Sequence, residues 1–285
     1  MDLTKQPPRS PFNTGVLGLM GAARAADKAR AQLNGTIGQY RFGHDSGLDA
    51  RTLQFLDISP EGFLDIVKAC PDSKSLNTYL KAKITKTTEE IKAHNEPLRN
   101  LKPAVTDEEA RQRFDTRKAN INRSDIKTMF DLLDAEDSHD FGPPTNLTNQ
   151  PPRSPHSGCL IGIVCLARMA DKARAKLART LGEYKYGEDS GLDKNVLEFI
   201  GLTADGFLDG ARQNPGDAGL ASWLLARVHR PDQEITDWNS ERRARGPWND
   251  EVREVFEGRT RAVGRTDLTT FLDLLDSEDA HDFPE

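Results

Sequence analysis

A group of charged residues with helical spacing occurs twice in this chain and is the first candidate for chemistry. Its members are Arg24, Asp27, Lys28 and Arg30 in one part, and Arg168, Asp171, Lys172 and Arg174 in the other. At about 100° per residue they fall on adjacent rows of one helix face. The residues around them are mostly apolar, so this helix is predicted to be buried. We call the two groups the Arg-Asp-Lys-Arg clusters.

Three cations beside one carboxylate leave positive charge that is costly to bury without a partner. Three interpretations are open. An anionic ligand supplies the missing negative charge, an acidic protein segment supplies it, or the cluster is a structural ion network that ties the helix to its neighbours. No nucleophile or general base is repeated beside the clusters, so no catalytic residue is assigned.

Acidic segments form the second candidate. They run from Asp131 to Asp140 and from Asp273 to Asp282, and they contain the histidines that correspond between the copies, His139 and His281. Carboxylates near a helix C-terminus oppose the helix dipole by about 0.3–1 kcal/mol each, so compensation is expected. Pairing with Arg153, Arg168 or Lys172 is the preferred explanation. The alternatives are a solvated acidic end and a divalent cation held by Asp276, Asp279 and His281.

Several other polar residues receive a structural interpretation. Ser190 lies in an Asp-Ser-Gly turn without the Gly-x-Ser-x-Gly pattern of a nucleophile elbow, so a turn is predicted. Asn95 and Asn239 lie in helical patterns that favour stronger helix formers, which suggests a specific hydrogen bond.

Supporting roles are predicted for two further pairs of residues. Arg9 and Arg153 lie in proline-rich lead-ins and are expected to anchor these to the acidic segments. Tyr40 and Tyr184 are expected to close the core with their rings.

The elements that must position these residues are repeated as well. Leu3–Pro11 is repeated as Leu147–Pro155, and the correspondence continues through most of each half. Apolar residues follow helical spacing, with a long helix predicted over Leu160–Tyr184, and no segment alternates as a strand would. The sequence therefore predicts an all-α protein of two homologous helical domains in tandem, residues 1–142 and 146–285. A pseudo-two-fold axis between them is expected, as in an intrachain pseudo-dimer.

Composition narrows the classes of partner. The chain has 285 residues, 29% of them charged, a mean hydropathy of −0.65 and a net charge of −6, all of it in the second half. Without a basic excess, nucleic-acid binding is not expected. The longest apolar stretch, Cys159–Ala167, is too short for a membrane span. The N-terminal residues carry no export signal and the three cysteines do not correspond, so buried thiols and a cytoplasmic location are expected.

Three motifs in a fixed order identify a resemblance. They are Leu147-Thr-Asn-Gln-Pro-Pro-Arg-Ser-Pro155, Leu166-Ala-Arg-Met-Ala-Asp-Lys-Ala-Arg-Ala175 and Gly264-Arg-Thr-Asp-Leu-Thr-Thr-Phe-Leu-Asp-Leu-Leu-Asp276. This order resembles a bacterial family known as domain of unknown function family 5069, and both halves match it, the second more closely. The resemblance implies a bacterial origin and a single copy that is a self-sufficient domain. It implies no activity, cofactor or catalytic residue.

The sequence thus supports one leading functional hypothesis and two alternatives. The leading one is a non-enzymatic binding module that recognises a small anionic ligand or an acidic protein partner through the Arg-Asp-Lys-Arg clusters. The first alternative is a metal-dependent hydrolase or lyase that uses the acidic segments. The second is a purely structural adaptor. The identity of any cofactor stays open, and no metal ligand is assigned.

Overall fold

The computed structural model describes residues 1–283, and every regular element within them is helical. The α-helices are α1 Ala22–Leu33, α2 Gly47–Phe55, α3 Pro60–Ala69, α4 Ser73–Lys83, α5 Thr88–Arg99, α6 Glu108–Asn120, α7 Met129–Phe141, α8 Leu166–Ala178, α9 Gly191–Ile200, α10 Ala204–Gln213, α11 Asp217–Leu225, α12 Asp232–Ala244, α13 Asp250–Ala262 and α14 Phe271–Asp282. The prediction of an all-α protein is confirmed. Within the described part of the chain no helix is long and apolar enough to span a bilayer.

The chain forms two compact units whose membership differs from the two sequence copies. Unit 1 holds Met1–Asn100, Glu257–Leu268 and the residues from Asp276 onward, and unit 2 holds Leu101–Phe256 and Thr269–Leu275. The ranges 1–142 and 146–285 stay a prediction about the repeated sequence. Packing divides the chain elsewhere, because apolar residues of α6 and α7 belong to the same core as α8.

Each unit is built around one helix that is buried along most of its length. In unit 1 this helix is α1, which packs against α2 and α3; in unit 2 it is α8, which packs against α9 and α10. Alanines on both helices allow their neighbours to approach closely. The charged residues of the Arg-Asp-Lys-Arg clusters are buried with the rest of these helices, as their spacing predicts.

The predicted helix over Leu160–Tyr184 is wrong at both ends, since α8 covers only Leu166–Ala178. Ile161, Gly162 and Cys165 have φ angles of 49°, 76° and 68°. These left-handed values are incompatible with a continuous right-handed helix. The apolar residues before α8 therefore form an irregular buried segment, which we call the 157–165 loop.

A partly buried asparagine holds this loop in place. Asn239 on α12 donates from Nδ2 to the carbonyl oxygen of Gly162 at 2.8 Å, and its Oδ1 accepts the Val164 N–H at 3.0 Å. Asn95 on α5 makes the equivalent two bonds in unit 1. The predicted specific hydrogen bond of these asparagines is confirmed. It satisfies backbone groups that have no helical partner.

We expect the Asn239→Ala variant to lose about 2–4 kcal/mol of unfolding free energy, because a buried donor and a buried acceptor lose their partner. Urea unfolding followed by circular dichroism measures this loss. The matched control is Asn195→Ala, since Asn195 is also partly exposed but its side chain bonds within its own helix. Equal, small losses in both variants would contradict a clamping role for Asn239.

The cysteines are placed as expected. Cys70, Cys159 and Cys165 are buried free thiols. Burial raises the pKa of Cys159 and of Cys165 to about 12. At neutral pH they are therefore protonated and act as small apolar side chains.

Candidate functional site

In unit 2 the lead-in arginine and the cluster aspartate form a two-point ion pair. Arg153 donates from Nε to Oδ2 of Asp171 at 2.9 Å and from Nη2 to Oδ1 at 2.7 Å. The backbone N–H of Arg153 also donates to Oδ2, at 3.0 Å. The lead-in is thus anchored to α8. Nη1 of Arg153 also donates to the hydroxyl of Ser138 at 3.1 Å, so the lead-in contacts the acidic segment as expected, and a pairing of Arg153 with a carboxylate of that segment stays a prediction.

A second aspartate completes this arrangement. Asp217, the first residue of α11, accepts a hydrogen bond from Nη1 of Arg153, and its Oδ1 lies 2.9 Å from Nη2 of Arg174. Burial by itself would raise the pKa of Asp217, but Arg153 and Arg174 outweigh it and hold the pKa well below its usual range. Arg174 also lies 3.4 Å from Asp171. Two buried guanidinium groups and two buried carboxylates therefore balance one another.

The cluster lysine has its own carboxylate partner. Nζ of Lys172 lies 2.6 Å from Oδ1 of Asp193 and donates to the carbonyl oxygen of Lys185 at 3.0 Å. Burial lowers the pKa of Lys172, and Asp193 opposes that shift. In unit 1, Lys28 and Asp49 form the equivalent pair at 2.6 Å. The expected pairing of Lys172 with the acidic segment is therefore wrong.

The Asp-Ser-Gly turn contacts the Lys172–Asp193 ion pair. The hydroxyl of Ser190 caps α9 by accepting the N–H of Asp193 at 3.3 Å, and it also accepts from Nζ of Lys172 at 3.3 Å. The turn interpretation of Ser190 is confirmed. The cap also fixes the start of the helix that carries Asp193.

The remaining cluster arginine contacts a tyrosine ring. The guanidinium of Arg168 lies 5.5 Å from the ring centroid of Tyr184 and donates to the carbonyl oxygen of Arg153 at 3.2 Å. Arg24 lies 5.6 Å from the ring centroid of Tyr40 in unit 1. The tyrosines thus act as cation–π partners at the edge of the core. A further pairing of Arg168 with the acidic segment stays a prediction.

Unit 1 repeats the first ion pair but differs at one position. Arg9 binds both carboxylate oxygens of Asp27, at 2.9 and 2.7 Å, and Arg30 lies 3.7 Å from the same carboxylate. Where unit 2 has Asp217, unit 1 has Ser73, whose hydroxyl accepts from Nη1 of Arg9 at 3.0 Å. The side chain of Arg9 is 19% exposed, against 8% for Arg153. At this position the first site therefore has a hydroxyl in place of a carboxylate, and its lead-in arginine is more exposed.

The acidic segments obtain their compensation from neighbouring helices. Arg117 on α6 pairs with Glu136 on α7, and Arg259 on α13 pairs with Glu278 on α14. The opposing helix dipole is thereby offset, as expected, although by arginines outside the predicted set.

The two corresponding histidines lie at the surface. Nδ1 of His139 is 2.9 Å from Asp140, and Nδ1 of His281 is 3.0 Å from Asp282. Over residues 1–283, no group of three or more His, Cys, Asp or Glu side chains is arranged to hold a metal ion. The set Asp276, Asp279 and His281 is therefore not a metal site in this arrangement.

Sequence reasoning missed the two aspartates that balance the second cluster. Asp193 corresponds to Asp49, so the repeat contains a signal for it, but an aspartate just after a turn is also typical of a helix start. Asp217 corresponds to Ser73 and therefore has no counterpart that would have drawn attention to it.

A family model described as Domain of unknown function (DUF5069) matches residues 5–139 and again residues 149–281. The tandem repeat and the resemblance of both halves are thereby confirmed. No curated protein matches the chain.

Proposed function

The chain belongs to this DUF5069 family as two tandem domains, and we propose that it is a non-enzymatic binding module whose first copy holds a carboxylate beside Arg9 and Arg30. A comparison of the corresponding positions 217 and 73 in the two copies supports this proposal. On the same scaffold, the carboxylate of Asp217 lies against both arginines of the second copy, and a serine hydroxyl replaces it in the first.

The surroundings of Ser73 suit an anion. Ser73 begins α4, so the positive end of a helix dipole lies at this position. Asp72 adds a negative charge nearby, but its carboxylate caps α4 by accepting from the N–H and the hydroxyl of Ser75 at 2.7 and 2.8 Å. That carboxylate thus caps the start of α4, and at the position of Asp217 itself the first copy has the hydroxyl of Ser73.

The ligand class follows from the second copy. A carboxylate is the group that Arg153 and Arg174 hold there, and planar guanidinium groups match carboxylates in two-point geometry. The same chemistry has two sources, a small di- or tricarboxylate and an aspartate or glutamate of an acidic partner segment. Lys28 and Lys172 are given a structural role, since each already has a buried aspartate.

A reciprocal pair of variants tests this function. We expect citrate or an oligoglutamate peptide to raise the Tm of the wild type by roughly 4–5 °C when the ligand is at about 100 times its Kd, because binding then adds about 2.7 kcal/mol. Ser73→Asp should remove this response, because the new carboxylate takes the ligand's position. Asp217→Ser should lower the Tm and add a second binding site. Thermal shift and isothermal titration at constant ionic strength measure both effects.

The control is Ser222→Asp, which adds the same charge at an exposed serine of α11 and should leave the response unchanged. A response to citrate alone identifies a small ligand, and a response to the peptide alone identifies an acidic partner. If neither ligand binds, or if Ser73→Asp binds as well as the wild type, the carboxylate site is wrong. The chain is then better described as a structural adaptor, as the balanced second cluster would suggest.

A further inference from the structure

The core of unit 2 contains residues of both sequence copies. Phe114, Ile126 and Leu132 come from the first copy and are 8%, 2% and 0% exposed. They lie in the same cluster as the 157–165 loop and α8, which belong to the second copy. The core of the second copy therefore includes the C-terminal segment of the first, together with Leu272 of its own last helix.

Hydrogen bonds within unit 2 join the same two parts of the chain. Asp131 accepts the N–H of Gly158 at 2.7 Å, and Asp125 accepts the N–H of Ile161 at 2.9 Å. The guanidinium of Arg123 donates to the carbonyl oxygen of Cys159. These bonds satisfy buried backbone groups of a loop that has no regular structure of its own.

Unit 1 shows a corresponding contact with part of the second copy's C-terminal segment, whereas Thr269–Leu275 of that segment belong to unit 2. Arg265 of the second copy donates from Nη1 to the carbonyl oxygen of Thr14 at 3.3 Å. A Cβ placed on Gly15 would lie 3.6 Å from the Cβ of Ala280 on α14. Thr14 and Gly15 precede α1 as the 157–165 loop precedes α8, so corresponding loops receive corresponding segments.

From this exchange we propose that the C-terminal segment of each copy is a docking element whose partner is the N-terminal core of another copy of the same repeat. The two copies therefore remain bound to each other without a covalent link. This is the intrachain form of domain swapping. It replaces the expectation of a self-sufficient single copy, and it does not depend on the carboxylate site.

Physical chemistry gives the reason for this binding. A copy without its partner segment would leave the N–H groups of Gly158 and Ile161 buried without acceptors. It would also expose the apolar face that Phe114, Ile126 and Leu132 cover. Both losses are avoided when the segment of a neighbouring copy docks.

Hydrogen–deuterium exchange on the full chain tests which loop each segment holds. Arg123→Ala should speed exchange of the amides at 158–164 by about tenfold or more, since a bond to a charged donor is lost. The amides at 14–20 should exchange as in the wild type. Arg265→Ala is the matched control and should show the opposite pattern. Faster exchange at 14–20 in Arg123→Ala would overturn the proposal, because each segment would then hold its own copy.

A milder pair of variants keeps this test decisive if either alanine variant does not fold. Asp125→Asn and Asp267→Asn keep the size of the side chain and weaken the same segments. Hydrogen–deuterium exchange at 158–164 and at 14–20 is compared in the same way. If both variants change the two loops equally, the proposal is also overturned.

Cleavage of the linker tests the binding directly. A protease site replacing residues 142–145 lies in the partly exposed segment between the copies. After cleavage, the two fragments should elute together from a sizing column with the mass of the intact chain, and separate only in denaturant. Separation of the fragments in native buffer would show that each copy folds without the other.

Discussion

The Asp171→Asn variant is expected to lose about 3–5 kcal/mol of unfolding free energy, because it removes one partner of a buried ion network. Asp171 accepts three hydrogen bonds from Arg153, two from the guanidinium and one from the backbone N–H. It also lies 3.4 Å from Arg174. An amide cannot balance these two cations, and the arginines are too deeply buried to regain water.

Urea unfolding with a fluorescence and a circular dichroism readout measures this loss, and Asp27→Asn is the matched variant in the first copy. The control is Asp209→Asn, whose partner is Arg212 in a pair with both side chains more than half exposed. Pairs of that kind contribute about 0–1 kcal/mol. A loss of that size in Asp171→Asn as well would show that the network adds little to stability.

The Lys172→Met variant should also lose about 3–5 kcal/mol, for the opposite reason. Methionine fills the space of the lysine stem but leaves the carboxylate of Asp193 buried without its cation. Asp193 still accepts the N–H of Gly187 at 3.0 Å. One neutral donor does not compensate for the loss of the positive charge. The affected carboxylate stands at the start of α9, so the loss should appear in the packing of α8 against α9.

A double variant separates the charge from the packing. Lys172→Met with Asp193→Asn is neutral and keeps an acceptor for Gly187, so it should recover most of the stability that the single variant loses. The midpoint and slope of urea unfolding give both values. If the double variant is as unstable as Lys172→Met, the loss comes from packing around the lysine stem and the ion pair is not its cause.

Part of the candidate site could be predicted from the sequence. Alanines and apolar residues around Arg168 and Asp171 indicate a buried helix, and the burial is found. The aspartates that balance the buried lysine and arginines could not be predicted. Asp193 and Asp217 are distant in sequence and are brought to α8 by the packing of α9 and α11, and no local pattern encodes such contacts.

The start of α8 was mispredicted for a similar reason. Leu160, Ile163 and Ala167 have helical spacing, which is the same whether the backbone is helical or only buried. The deciding contacts come from Asn239, a residue on another helix. Local periodicity carries no information about such a clamp.

The exchange of C-terminal segments cannot be predicted from this sequence. The two segments are nearly the same, with Arg123 corresponding to Arg265 and Asp131 to Asp273. Either segment offers the same side chains to either loop. Pairing within a copy and pairing between copies therefore satisfy almost the same interactions, and only the connections of the chain distinguish them.

Because unit 1 is made of separate stretches of the chain, its parts are synthesised at different times. Its first 100 residues leave the ribosome early, while its remaining parts begin only at Glu257. At about 5–20 residues per second, that interval lasts roughly 10–30 s. Most residues of unit 2 are synthesised within this interval, so unit 2 can fold first although its sequence starts later. The hydrophobic core of unit 1 lies within residues 16–91 and can form early, but the carbonyl oxygen of Thr14 has to wait for its donor, Arg265, until the last part of the chain is made.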